Sequence, residues 1–323
     1  MMKKTFLLLI ALLLLTSCTK TISEQAPEPL VYFTNEVNMT IPLLDLFDSA
    51  NDSIHCALYD IDIQEVINTL ENKSKKLDVK IVMDDQNYIE NDFIRHDSSG
   101  LMHNKFCIID RSIVWTGSFN PTFGGLKGDN DVIIIFSKNA ADIFENEFNE
   151  LWNGKFKDGS KNNEKLLINN KSYEFYFCPE DSCADKVINE INKANKSIYF
   201  ATFSFTHKRI ADALVEKSKE GVDIKGLFDK RQISNYSKFD YLSEYFETKI
   251  KDSKYDMHHK FFVIDNETVI TGSFNPTNNG DENNDENIAI IKDKTIAEKY
   301  VNHFFELWNS SGKSFAFEHA ENL

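Results

Sequence analysis

Two short stretches of the chain carry the same reactive side chains in the same frame. The first holds His103, Lys105, Asp110, Gly117, Ser118 and Asn120, and the second holds His258, Lys260, Asp265, Gly272, Ser273 and Asn275. Both read His-x-Lys-x4-Asp-x6-Gly-Ser-x-Asn, and an acid stands 28 positions beyond each histidine, at Asp131 and Glu286. A histidine and a lysine two residues apart on a strand share one face, because side chains alternate along extended backbone. An imidazole beside an ammonium suits a phosphodiester: the ring attacks phosphorus or carries a proton, while the ammonium offsets charge on the phosphoryl oxygens. Two such pairs around one phosphate would supply both a nucleophile and a proton donor. A lone histidine is more often structural than catalytic, but two complete copies of one pattern reverse that weighting.

The elements around these residues repeat as well. Tyr32-Phe33-Thr34-Asn35-Glu36 answers Tyr176-Phe177-Cys178-Pro179-Glu180, and Ser53-Ile54-His55-Cys56-Ala57 answers Ser197-Ile198-Tyr199-Phe200-Ala201. Helical patterns follow at 63–76 and 208–220, then strands ending in acid at Asp84 and Asp229, and each half closes on a helix ending Glu-Leu-Trp, at Trp152 and Trp308. Each half reads strand, helix, strand, irregular segment, three strands, helix. The division predicted is 1–17 export signal, 18–29 flexible tether, 30–153 first domain, 154–171 polar linker, 172–312 second domain and 313–323 tail. Like halves in one chain tend to pack about a pseudo-twofold axis, as homodimers do, so equivalent residues meet there and the chain is expected to be a monomer with an internal pseudo-dimer.

The duplicated motif resembles the HKD motif of the phospholipase D superfamily in its two-copy, single-chain form, and the likeness covers nearly all the mature chain. It implies two phospholipase D-like α/β halves with mixed sheets flanked by helices. It implies a covalent phosphohistidine, hydrolysed by water that the second histidine activates, and neither metal nor other cofactor. His103 would be the nucleophile by the commoner family pattern, and His258 the acid–base. Lys105, Lys260, Asn120 and Asn275, with Ser118 and Ser273, would hold the phosphoryl oxygens. Asp131 and Glu286 would orient the imidazoles, and Asp110 and Asp265 would brace the motif loop. The additional His259 should face away from the site. Phe119, Phe123 and Phe274 are expected in the core, and His207 and Lys208 on the surface.

The motif identifies a reaction and leaves the substrate open among three readings: a phospholipase D releasing a headgroup alcohol, an extracytoplasmic nuclease cutting DNA or RNA, and a binding protein without turnover. The amino terminus bears on the choice. Lys3 and Lys4 precede an apolar run from Thr5 to Leu14, and Leu15-Thr16-Ser17-Cys18 resembles a bacterial lipobox. That resemblance implies cleavage before Cys18, a lipid on its sulfur and an extracytoplasmic, membrane-anchored protein. The net charge is −15, and losing residues 1–17 removes two lysines and no acid, giving −17. Such a charge opposes a polyanion at long range and speaks against a protein that coats nucleic acid. Outside the cytoplasm disulfides are permitted. Cys178 and Cys183 could pair across a turn, whereas Cys56 and Cys107, in apolar runs, are expected as buried thiols. No Cys or His spacing suggests a zinc site.

Overall fold

The computed structural model describes residues 20–97 and 99–312; the expected export signal, Cys18 and the tail lie outside them. Among the described residues the first half builds a seven-stranded mixed sheet. Its strands run, in spatial order, Leu30–Phe33, Asp131–Phe136, Ile113–Gly117, Lys105–Ile109, Ser53–Leu58, Asp78–Asp84 and Ile94–Asp97. The second half repeats the order with Lys171–Cys178, Asn284–Lys292, Thr268–Gly272, Lys260–Ile264, Ser197–Thr202, Asp223–Asp229 and Glu247–Lys251. In both sheets the strands before and after the crossover helix are parallel, and the motif strands pair antiparallel with their neighbours. Two further helices, Thr40–Ser49 and Cys183–Ile191, lie between the first two strands of each half, where the sequence reading placed none.

The two closing helices, Lys138–Trp152 and Lys294–Ser310, are packed between the sheets. Phe144 and Phe148 on one, and Tyr300 and Phe304 on the other, join Phe106, Phe175 and Phe261 of the strands in one buried cluster that draws on both halves. The strand alternation is visible in the packing: Phe106 and Ile108 face this central layer, while Cys107 and Ile109 face the outer helices. The halves therefore share a core, and separating them would expose a large apolar surface. No helix among the described residues is long and apolar enough to cross a membrane.

Two boundaries differ from the sequence reading. Lys20–Glu24, expected within the flexible tether, forms a strand parallel to Glu164–Ile168, itself inside the expected linker. Asn169 clamps the same segment, its side chain accepting from Ala26 N and donating to Ala26 O. The polar composition that suggested a loop is that of an edge strand, whose outer side faces water.

Both cysteine pairs are disulfides. Cys178–Cys183 was open to expectation; Cys56–Cys107 corrects the expected buried thiols. The register of Ser53–Leu58 against Lys105–Ile109 sets Cys56 directly opposite Cys107, with Cα atoms 4.1 Å apart. This bond ties the strand Ser53–Leu58 to the motif strand. Closing a loop of this length restricts the unfolded chain by about 4 kcal/mol. The Cys56→Ala/Cys107→Ala variant should lose about that much stability in a denaturant titration under oxidising conditions, and an unchanged midpoint would refute a stabilising bond.

Candidate active site

Each motif histidine is placed by the other half of the chain. Asp84 and Asp229, buried at the ends of equivalent strands, accept from Met102 N (2.9 Å) and Met257 N (2.7 Å) and so anchor the residue before each histidine. Leu101–Met102 then crosses over and pairs with Asn284–Lys292 of the second sheet, and His103 N donates to Asp285 O at 2.9 Å. The reciprocal contact is a bridge between Asp129 and Met257, with His258 N donating to Asp129 O at 2.9 Å. Lys105 and Lys260 open the motif strands, and each ammonium donates to its own histidine carbonyl at 2.6 Å.

The rings are held across the same boundary. His103 Nδ1 lies 2.8 Å from Glu286 Oε2, where it donates to the carboxylate. His258 Nδ1 lies 3.0 Å from Asn130 Oδ1 and 3.1 Å from Ser118 O. Both Nε2 edges are thus left for chemistry. Tyr59 packs on His103 and Phe203 on His258, with ring centroids 5.0 and 4.9 Å apart, and the same rings lie under Lys105 and Lys260. The sequence reading missed Tyr59, Phe203 and Asn130. The first two stand at equivalent places just beyond the Ser-Ile strands, a signal the repeat did contain.

Asp131 does not orient a motif histidine, which corrects its equation with Glu286. Gly117 pairs with Val132 and Gly272 with Ile288, and Ser118 N and Ser273 N donate to Asp131 O and Asn287 O. Asp131 is therefore equivalent to Asn287, and Asn130 to Glu286; the second half has one extra residue between Gly272 and its strand. The two glycines permit this approach: their φ values are +154° and +144°, and a Cβ on either would collide with the facing carbonyl. Asp131 instead turns into the central layer. It accepts from Ser118 Oγ (2.9 Å), His259 Nδ1 (2.8 Å), Tyr300 OH (2.8 Å) and Thr271 Oγ1. His259 does face away from the site, as strand alternation requires, and its Nε2 meets His303 Nε2 at 2.9 Å.

The other expected residues divide cleanly. Ser118 and Ser273 brace the strand backbones, Ser118 Oγ bonding Asp131 and Ser273 Oγ accepting from Asn287 N, so they are committed away from a ligand. The Oδ1 atoms of Asn120 and Asn275 are buried and have no hydrogen-bond partner among the described residues. Asp110 and Asp265 lie at the far ends of the motif strands, where each carboxylate accepts three consecutive backbone N–H groups, of residues 51–53 and 195–197. They are structural and distant from the reacting groups. His207 is buried, capping the helix Lys208–Lys219 through Ile210 N, whereas Lys208 is exposed beside Asp212; the expectation of a surface histidine fails because the ring substitutes for a polar cap. Phe119 and Phe274 are buried as expected, whereas Phe123, at the start of the short helix Phe123–Lys127, is exposed and corrects the expected core position.

The electrostatics follow from four cationic or basic groups in one poorly solvated place. Burial, Lys105 and Lys260 hold His103 well below its ordinary value, and burial with the same two lysines does so for His258. Burial also lowers Lys105 strongly and brings Lys260 down to about 7. Glu286 is pushed up to about 7, chiefly by burial, with Lys105 opposing. Two crowded ammoniums and two neutral imidazoles make a site that gains from a bound anion. One group outside it, Glu147, Glu150 and Glu180, places carboxylate oxygens within 4.8 Å of one another, a spacing that a metal ion could bridge. Burial, with the neighbouring carboxylates, raises Glu147 well above its usual range, and burial raises Glu180 to about 7.

A family model described as cardiolipin synthase, PLD-like domain, matches residues 43–152 and 187–308, one segment on each half and most of the chain together. The chain belongs to the phospholipase D-like family. A phospholipase D of Rickettsia prowazekii is 34% identical over 134 residues, 40% of this chain and 64% of that protein. A mitochondrial cardiolipin hydrolase of Xenopus tropicalis is 30% identical over 136 residues, 41% of this chain and 65% of the relative. This chain thus matches somewhat under two thirds of the length of these relatives. The phosphatidylserine synthase of Haemophilus influenzae shares the fold, with a TM-score of 0.68 at 13% identity, over 91% of this chain and 88% of that one.

The Asp131 network gives a stability prediction. The His259 hydrogen bond is the main influence offsetting burial, and Asp131 is held down at about 2 against an ordinary 3.8. A depressed carboxylate contributes stability that is fully present above its unfolded value and lost as pH falls through the folded one. Asp131→Asn should cost about 3 kcal/mol at pH 7, by removing the negative charge and one of the two acceptor oxygens that His259, Thr271 and Tyr300 share. It should also remove the part of the acid transition that falls between about pH 4 and 2. Thermal unfolding across that range measures both, and identical wild-type and variant curves would refute the role.

Proposed function

We propose that the protein is a phospholipase D that hydrolyses membrane phospholipid to phosphatidic acid and a headgroup alcohol through a phosphohistidine on His103. The observation that carries the chemistry is the unequal backing of the two histidines: a carboxylate behind His103 and a neutral amide behind His258. A nucleophilic imidazole becomes cationic when its Nε2 bonds phosphorus, and Glu286 stabilises that charge. A proton donor works best when its charged form is not over-stabilised, and Asn130 Oδ1 fixes the His258 ring without adding a negative charge.

In the first step His103 Nε2 bonds phosphorus, the bond from phosphorus to the headgroup oxygen breaks, and His258, taken up as the imidazolium once the anionic phosphodiester is bound, gives its Nε2 proton to that oxygen while Nδ1 keeps its own towards Asn130 Oδ1 and Ser118 O. In the second, His258 takes a proton from water, the hydroxyl oxygen bonds phosphorus, and the P–N bond breaks to restore His103. Lys105, Lys260, Asn120 and Asn275 offset the charge on the non-bridging oxygens in both steps. Several features support lipid as the substrate. The Leu15–Cys18 sequence would anchor the chain at a membrane, the net charge of −15 disfavours polyanions, and the relatives are named phospholipase D and cardiolipin hydrolase. Phe123, 58% exposed, stands two residues beyond Pro121 on the loop that carries Asn120.

His103→Ala and His258→Ala should each lower turnover by several orders of magnitude, and the double variant should be little worse, because the residues act as a unit. With a nitrophenyl phosphodiester, His258→Ala should accumulate an acid-labile phosphoenzyme and His103→Ala should not; the opposite pattern would reverse the roles. The kcat/KM profile should be bell-shaped, falling below neutrality as Glu286, near 7, takes up a proton and above it as Lys260, near 7, loses one. Phospholipid vesicles and plasmid DNA assayed in parallel with EDTA decide the substrate: headgroup release without nicking is expected, and nicking without headgroup release would overturn the lipid reading.

Attachment to the membrane rests on Cys18. Cys18→Ser should leave the protein unprocessed, or free in solution after export. Normally processed and membrane-bound Cys18→Ser protein in a fractionation experiment would reject the anchor.

A further inference from the structure

Resting on that reading and on His258 as the proton donor, we propose that a cleft on the second half binds the departing headgroup and selects one that is neutral and polyhydroxylated, such as glycerol. The cleft, about 610 Å³, begins at Asn275 and extends over the loop that follows Phe203, the ring packed on His258. An in-line displacement by His103 sends the leaving oxygen towards His258, so the leaving alcohol enters the space beside that residue.

The lining is hydroxyl and carboxamide: Ser204, Thr206, Asn235, Asn278 and Asn279, with Lys238 the one charged group. These side chains both donate and accept, as a polyol requires, and no carboxylate lines the cleft to receive a quaternary or primary ammonium. Tyr236, 80% exposed, stands at its edge.

The pseudo-twofold supplies an internal comparison. Tyr59 N and Phe203 N donate to Asn104 O and His259 O, and residues 62–63 and 206–207 donate to Pro121 O and Pro276 O. Ser204 and Thr206 are therefore equivalent to Asp60 and Asp62 of the first half. Thr122 and Thr277 cap equivalent short helices, so Asn278 is equivalent to Phe123. Where the nucleophile's side carries two carboxylates and an exposed phenyl ring, the proton donor's side carries two hydroxyls and an amide. The same backbone frame thus presents two different surfaces to the two sides of one phosphate, and the one in which hydroxyls replace the carboxylates adjoins the leaving group.

The test is a competition assay with the full mature protein, in detergent micelles containing phosphatidylglycerol, phosphatidylcholine and phosphatidylethanolamine at equal mole fraction. Micelles holding all three lipids give every headgroup the same surface charge. Release of glycerol at least ten-fold faster than choline or ethanolamine is expected, and equal or reversed rates would overturn the assignment while leaving the phospholipase reading intact. Ser204→Asp/Thr206→Asp, which copies the first half's carboxylates into the cleft, should lower the glycerol-to-choline ratio at least ten-fold. A thermal unfolding midpoint verifies that this variant is folded, and an unchanged ratio in the folded variant would also overturn the assignment. Plasmid nicking without release of any headgroup would overturn the cleft assignment and the phospholipase reading together.

Discussion

The site depends on a contact that neither half can make alone. Glu286 reaches across the pseudo-twofold to His103, and Asn130 reaches back to His258, while Asp285 and Asp129 accept the backbone N–H groups of the same two histidines. Ring orientation is therefore a property of the interface between the halves. The shared central core, where Phe144, Phe148, Tyr300 and Phe304 meet the inner faces of both sheets, keeps that interface from opening. A shift of 1 Å between halves would break the hydrogen bonds that aim both Nε2 atoms at one phosphorus.

Duplication created this frame, and single-residue divergence made it directional. At one pair of equivalent positions stand Glu286 and Asn130; at the next stand Asn287 and Asp131; on the motif strands stand His259 and Asn104. At these two pairs of positions each half thus holds one buried carboxylate, one residue apart and on opposite faces of the strand. Glu286 faces the phosphate site and Asp131 faces the core, where His259, Tyr300 and Thr271 satisfy it. A symmetric pair would give two rings of equal basicity, whereas displacement of phosphorus needs one ring to attack and the other to donate.

Crowding two lysines, two histidines and a glutamate into a poorly solvated place costs folding energy, since each charged form loses water. The shifts of Lys260 and Glu286 to about 7 record that cost, and a bound phosphodiester would offset much of it. The disulfide between Ser53–Leu58 and the motif strand, and the aromatic packing beneath both sheets, lie where they can hold the crowded residues in place.

The repeat, the reactive pairs and the α/β character of both halves were legible in the residues themselves, because strand alternation and motif spacing are local properties of the chain. Asp110 and Asp265 were readable as loop braces for the same reason. What the sequence did not determine was register. Counting from the histidine equated Asp131 with Glu286, while the pattern of the following strand fitted Asn287 instead; the pairing of Gly117 with Val132 and Gly272 with Ile288 decides for the offset of one residue that sends Asp131 into the core and sets Asn130 behind His258. The Cys56–Cys107 bond was hidden for the same reason, since two cysteines far apart in the chain become neighbours only once their strands align. The strand at Lys20–Glu24 was missed because an edge strand facing water has the composition of a tether. Motif spacing gave the chemistry, while cross-strand pairing, which depends on the whole sheet, decided which side chain serves which histidine.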